Sequence, residues 1–188
     1  MKKLFIILCL FFSAFTVYSQ SDSAKLERYK EITRTNINRA KSTGSPILIY
    51  NYETRWSGYA GGVDCIIRFV NISNKRIKYL YFTVVPYNKV NDIAYSRVGN
   101  TSEITLDHTG YIEKNDIDNL DRLDLIFAGW SNVWYNSDIS YMKITKIQIV
   151  FDDNSKFIMD SKMINSSIFF SEEKLDSIII DRIFDDGR

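Results

Sequence analysis

The stretch KRIKYLYFTVVPYN, Lys75 to Asn88, places apolar or aromatic side chains on both faces of an extended segment. Successive side chains of a strand point to opposite faces, so Leu80, Phe82 and Val84 share one face. Ile77, Tyr79, Tyr81, Thr83, Val85 and Tyr87 then share the other. We assign Leu80, Phe82 and Val84 to a core. A tyrosine ring can cover a sheet surface while its hydroxyl stays in water, which makes the second set an outer face. That outer face either binds a partner or is covered by another element of the chain. Pro86 donates no ladder hydrogen bond and marks a strand end or a sheet edge.

Working outward, GVDCIIRFV repeats the alternation: Val63, Cys65, Ile67 and Phe69 fall on one face, Asp64 and Arg68 on the other. Period-two runs continue in ILIYNY, SEITLD, LDLIFAGW, ISYMKIT and KIQIVF, separated by SGYAGG, NISNK, NKVND, RVGN, HTG and DDNSK. Gly, Asn, Asp and Ser in these separators suit turns. Six to eight short strands at such spacing predict an all-β protein, an immunoglobulin-like β-sandwich, over residues 46–161.

The segments GGVDCIIRFVNISNKRIKYLYFTVVPYNKVND and WSNVWYNSDISYMKITKIQIVFDDNSK together resemble small bacterial immunoglobulin-like domains of the FxLYD and related uncharacterised types. In these a strand ending in Asn-x-Ser precedes a Lys-rich turn, an aromatic strand and a Tyr-Asn pair. The matching positions are Phe69, Asn71, Ser73, Lys75, Ile77, Lys78, Tyr79, Phe82, Pro86, Tyr87, Asn88 and Asp92, then Trp134, Tyr135, Asn136, Ile147, Ile149 and Asp153. The resemblance covers roughly residues 61–156 and implies a fold, with no catalytic residues attached to it.

The flanks differ in character. Met1, Lys2 and Lys3 open a basic start, Leu4 to Val17 is nearly unbroken apolar chain, and the polar SQSDSAK follows. This reads as a signal peptide over 1–19, with cleavage after Ser19, and as too short to span a bilayer. Cys9 lies inside the apolar run and is not a lipid-attachment site. The mature chain is therefore expected to be periplasmic or secreted, with no stable membrane span. Residues 20–45 form a helical or linker segment, with Leu26, Tyr29, Ile32 or Thr33, Ile37 and Ala40 at helical spacing. Its basic face suits an anion or a membrane surface, but the thin stripe favours a solvated, partly docked helix. Residues 162–188 form a C-terminal extension, read as a short helix capped by Ser171 with Leu175, Ile178, Ile179 and Ile183 as its apolar stripe; a final strand is the alternative. We expect that helix to cover the tyrosine face.

The chain has 188 residues, 45% hydrophobic and 14% aromatic, with a formal net charge of +1. That balance gives no global field to attract nucleic acid or an anionic membrane. After signal removal Cys65 is the only cysteine, so no internal disulfide can form, and its strand position favours a buried thiol over a reactive one. Hydrolytic triads and most metal sites need histidine, and His108 is the only one. It stands in LDHTG and reads as an exposed turn residue. GYAGG lacks the Lys and the spacing of a phosphate loop. Asp116, Asp118, Asp121 and Asp124 offer oxygen ligands for calcium without the glycine and terminal glutamate of a known loop. We expect no enzyme, no cofactor and no metal.

Aromatic side chains remain as the binding candidates: Trp56 and Tyr59 in a Gly-rich loop, Tyr79 and Tyr81 on the outer strand face, and Trp130, Trp134 and Tyr135 in GWSNVWYN. Trp and Tyr are favoured at binding hot spots. Trp130 and Trp134 equally suit the end of a core, whereas Trp56 is expected to be exposed. The sequence thus points to an exported non-catalytic interaction module for a protein or glycan of the envelope or exterior. The alternative is a carbohydrate-binding accessory domain or small secreted enzyme using the aromatic loop.

Overall fold

A computed structural model describes residues 23–58 and 61–171 of the protein. Among these, strands β1 (Ile47–Trp56), β2 (Gly62–Asn71), β3 (Ile77–Tyr87), β4 (Ile104–Ile112), β5 (Ile126–Tyr135), β6 (Tyr141–Phe151) and β7 (Lys156–Met159) form two antiparallel sheets. One sheet has the order β1-β2-β5 and the other β4-β3-β6-β7. Helix α1 occupies residues 23–42, and a short helix α2 (Ser161–Ser167) follows β7. The stretch 1–19 expected to be a signal peptide, Tyr59 and the expected stripe Leu175, Ile178, Ile179 and Ile183 lie outside the described residues.

The inner faces of the two sheets meet in one core. Val63, Cys65, Ile67 and Phe69 from β2 pack with Leu80, Phe82 and Val84 from β3 and with Ile147 and Ile149 from β6. The alternation read from Leu80, Phe82 and Val84 therefore sets the packing. Phe69 and Phe82 meet edge to face at 5.5 Å, a favoured aromatic geometry. Cys65 is buried, and desolvation pushes its thiol up to about 12, so it remains a neutral thiol inside the protein. Pro86 lies beyond the last β3 residue paired to β4, where no ladder donor is required on that side.

Three local readings need correction. Ile77 is fully buried in the core and does not share the tyrosine face. The register with β6 slips between Ile77 and Tyr79, and the extra residue, Lys78, turns Ile77 inward. ISYMKIT and KIQIVF are one strand, β6, whose shift opposite Thr83 and Val84 absorbs the break in alternation at Thr145 and Lys146. His108 is no turn residue: it pairs with Leu80 in mid-β4, half-buried, 6.1 Å from the Phe69 ring. HTG reads as a turn, yet Gly110, at φ 143°, lies within the strand.

The outer face of β1-β2-β5 is covered at its Leu48–Val70 end, while Phe127 of β5, beside Arg68, stays exposed. Leu48 and Val70, paired across β1 and β2, pack with Ile37 and Ala40 of α1 and with Leu120 and Leu123. Tyr29, Thr33, Asn36, Ile37 and Ala40 are the buried positions of α1, spaced so that they fall on one helical face. Leu120 and Leu123 come from the aspartate-rich connection, which docks on the helix: Asp121 pairs with Lys30 at 2.8 Å, and this contact chiefly raises the Lys30 pKa. The Asp160 side chain caps α2 by accepting from Met163 N, and Ile164 returns to the core. Beyond α2, Phe169 N donates to Ile49 O, and Asn36 both donates to Phe170 O and accepts from Phe170 N. The chain thus reaches Ser171 beside α1, on the side of the three-stranded sheet.

Candidate functional site

One end of the molecule gathers the turn after β1, the long β3–β4 connection and the β5–β6 turn. A cleft of about 210 Å³ there is lined by Trp56, Gly61, Arg97, Val98, Tyr135, Asn136 and Ser137. Local chemistry explains how these residues meet. Gly61 has φ +79°, and a Cβ there would stand 3.8 Å from Trp56 Cη2, so the indole edge lies against a glycine. A Cβ on Gly62 would fall 1.8 Å from Asn132 Oδ1, so a larger residue there would displace the Asn132 side chain.

Asn132 belongs to an irregularity in β5. Val63 pairs with Trp134 and Cys65 with Trp130, which leaves residues 131–133 opposite Asp64 alone. Asn132 adopts φ 53°, and its N–H donates to Asp64 Oδ1 at 2.8 Å. The β3–β4 connection is then stitched to the end of β5. Arg97 N donates to Tyr135 O, Tyr135 N to Ser96 Oγ, and Asn136 Nδ2 to Tyr95 O. Asn88 Oδ1 accepts from Val90 N and Asp92 N and closes the start of that connection.

Large apolar side chains are exposed at this end: Trp56 at 52%, Val90 at 72%, Ile93 at 46%, Tyr95 at 51% and Val98 at 63%. Trp56 and Val98 line the cleft, and Val90, Ile93 and Tyr95 belong to the same β3–β4 connection as Val98. Arg97 is exposed and forms no ion pair among the described residues.

The sequence candidates divide into three groups. Trp56 and Tyr135 come together in the cleft. Tyr79 and Tyr81 lie half-exposed on the outer face of β3 with ring centroids 6.5 Å apart, away from the cleft residues in sequence and sheet position. Trp130 and Trp134 serve structure. Trp134 is fully buried, with Nε1 donating to Ser102 O, and so cannot stack on a ligand. Trp130 is half-buried, packs edge-on against Phe82 and donates Nε1 to Asp107 O at 2.8 Å. The two indoles tether β5 to the β4 side of the molecule by satisfying backbone carbonyls there.

Sequence reasoning missed Val90, Ile93, Tyr95, Arg97 and Val98, because NKVND and RVGN read as turns. The available signal was the density of Val, Ile and Tyr without alternation in a turn-rich stretch. The site offers apolar surface, aromatic rings and one guanidinium, and no acid–base pair lines it. His108 lies elsewhere, and burial lowers its pKa with Asp107 opposing. Among the described residues no three His, Cys, Asp or Glu side chains stand together to hold a metal ion, and no helix is long and apolar enough to cross a membrane. Compared with known proteins, the chain matches no family model, no curated protein and no solved structure.

Proposed function

We propose that this chain is an exported, non-catalytic interaction module that docks a protein of the cell envelope or exterior through the cleft end. The observation that carries this is the exposure of Trp56 and Val98 beside Arg97 in the cleft, with Val90, Ile93 and Tyr95 exposed on the β3–β4 connection that supplies Arg97 and Val98. Exposed apolar and aromatic side chains beside an Arg match the composition of protein interfaces. Asn136 and Asn88 are already engaged with the backbone, which makes the end a firm surface that loses little freedom on binding.

The fold proposed with this reading is an immunoglobulin-like sandwich. Strand order β1-β2-β5 facing β4-β3-β6-β7 supports it, since the chain crosses between the sheets after β2, β4 and β5 as in Greek-key sandwiches. Export rests on the basic start and apolar run of residues 1–17. N-terminal sequencing of the mature protein should begin at Gln20, and an intact Met1 would remove the export reading.

The docking test uses a photo-crosslinking residue at Val98, with a second at Ile158 on another exposed surface, in the native envelope. A discrete protein adduct at Val98 alone, lost on Trp56→Ala, is the expected result. Truncating a central Trp anchor should cost at least about 2 kcal/mol of binding. Equal labelling from both positions, or adducts indifferent to Trp56→Ala, would overturn the proposal.

A further inference from the structure

The outer face of β4-β3-β6-β7 carries a different chemistry from the cleft. Register places Tyr79, Tyr81, Thr83, Val85 and Tyr87 of β3 beside Thr109, Asp107 and Thr105 of β4. On the other side they meet Val150, Gln148, Lys146, Lys143 and Tyr141 of β6. Lys156 and Ile158 of β7 extend the same face, paired with Val150 and Gln148. Lys143, Lys146 and Lys156 are exposed, and none pairs with a carboxylate among the described residues. Asp107 is the one acidic side chain at these paired positions.

The face is also ordered. Tyr87 and Tyr141 stack at 5.3 Å and 11°, and Lys143 Nζ lies 4.3 Å from the Tyr87 ring centre. Lys78 Nζ stands 5.3 Å from the Tyr79 ring. Thr83 and Thr105 hydroxyls meet at 3.1 Å. Val85 and Val150 are buried although they belong to this outer face.

We propose that this face binds an extended acidic polysaccharide, with pyranose rings against the tyrosine column of β3 and carboxylates against the lysines of β6 and β7. The charge pattern selects the occupant. Lys143 already lies over the Tyr87 ring, but a neutral glycan leaves the exposed Lys146 and Lys156 without a partner, and their shared charge calls for an anionic occupant. β3 is 11 residues long. At roughly 3.3 Å per residue it offers a track for several sugar units rather than a pocket for one. This site uses none of the cleft residues Trp56, Arg97 and Val98, although at their shared edge Tyr87 pairs with Ile93 and Tyr141 Oη donates to Asn91 Oδ1.

Affinity electrophoresis in native gels containing polygalacturonate tests it, with fully methyl-esterified polygalacturonate and oligo-dT as comparators. The wild-type chain should be retarded by the free acid and not by the ester. Lys146→Glu with Lys156→Glu should abolish retardation, and Tyr81→Ala, at unchanged charge, should weaken it about tenfold, as loss of one stacking ring does elsewhere. Trp56→Ala should bind polygalacturonate as wild type does, so failure of the cleft reading and failure of this one are distinguishable. Thermal melts of the variants, all altered at surface positions, report folding separately. No retardation of wild type, an unchanged Tyr81→Ala, or equal retention by oligo-dT would overturn the proposal.

Discussion

The outer faces of the two sheets are built from opposite materials. On β1-β2-β5, Leu48 and Val70 are hidden under α1 and the Leu120–Leu123 connection, forming a second apolar cluster behind the main core. On β4-β3-β6-β7, tyrosine, threonine and lysine occupy the equivalent positions and stay half or fully exposed. A strand with apolar residues on both faces needs cover on both sides, whereas one with tyrosines outward can meet water through its hydroxyls. The difference teaches that Leu48 and Val70 are covered by a separate element, α1, whereas the buried Val85 and Val150 of the other sheet sit within a face that stays tyrosine- and lysine-rich.

This contrast can be broken by substitution. The inner face sets the upper limit: Phe82 is fully buried between both sheets, so Phe82→Ala should lower stability by about 3–5 kcal/mol in denaturant titrations. A melt matching wild type would reverse the face assignment of β3. If the α1-covered face is a true second core, Leu48→Ala should cost about 2–5 kcal/mol, a loss characteristic of buried leucine and not of a surface position.

Asn36 sharpens the same comparison from the helix side. It is buried and serves both backbone groups of Phe170, so Asn36→Ala leaves those groups unpaired, at a cost of about 1–3 kcal/mol. Faster amide exchange at Phe170 should accompany the loss, and unchanged exchange would show that α1 does not hold this segment.

His108 supplies a smaller, pH-dependent effect at the β4–β5 seam. Its folded pKa lies below the ordinary 6.5 because burial disfavours the imidazolium. Between the folded value and 6.5 the unfolded chain binds more protons, so stability rises with pH there and falls as pH drops below 6.5. His108→Gln should flatten that slope in melts taken between about pH 5 and 7, a window set by the reference value for histidine. The window is separate from that of Asp153, whose carboxyl is held well below the usual range chiefly by Lys75, and whose contribution is lost only in stronger acid.

The smallest effect belongs to the tyrosine face, where Tyr81 is half-exposed. Tyr81→Ala should change stability by no more than about 0.5 kcal/mol, as surface substitutions usually do. A loss approaching that of Leu48→Ala would mean that something covers the tyrosines and would erase the contrast between the sheets.

Much of the inner face was legible in the residues themselves. Val63, Cys65, Ile67, Phe69, Leu80, Phe82 and Val84 follow from period-two alternation, which any strand imposes on its own side chains. Ile77 escaped that logic because a single extra residue, Lys78, inverts the faces before it, and a bulge depends on the partner strand rather than on local pattern. Trp134 and Trp130 were ambiguous for a related reason. An indole serves a core or a ligand equally well until its N–H partner is known, and here Ser102 O and Asp107 O supply the answer.

By itself the sequence determined that the chain is mainly β, which side chains of the central strands turn inward, and that one polar helix precedes them, since each of these is a periodicity along the chain. Only the tertiary structure decided which sheet α1 covers and that Trp56, Arg97 and Tyr135 share a cleft. Those outcomes join residues tens of positions apart through a glycine contact at Gly62, the β5 irregularity at Asn132 and backbone bonds from Ser96 and Arg97. Such pairings are fixed by where the neighbouring strands place their backbones, a quantity that no local pattern of side chains encodes.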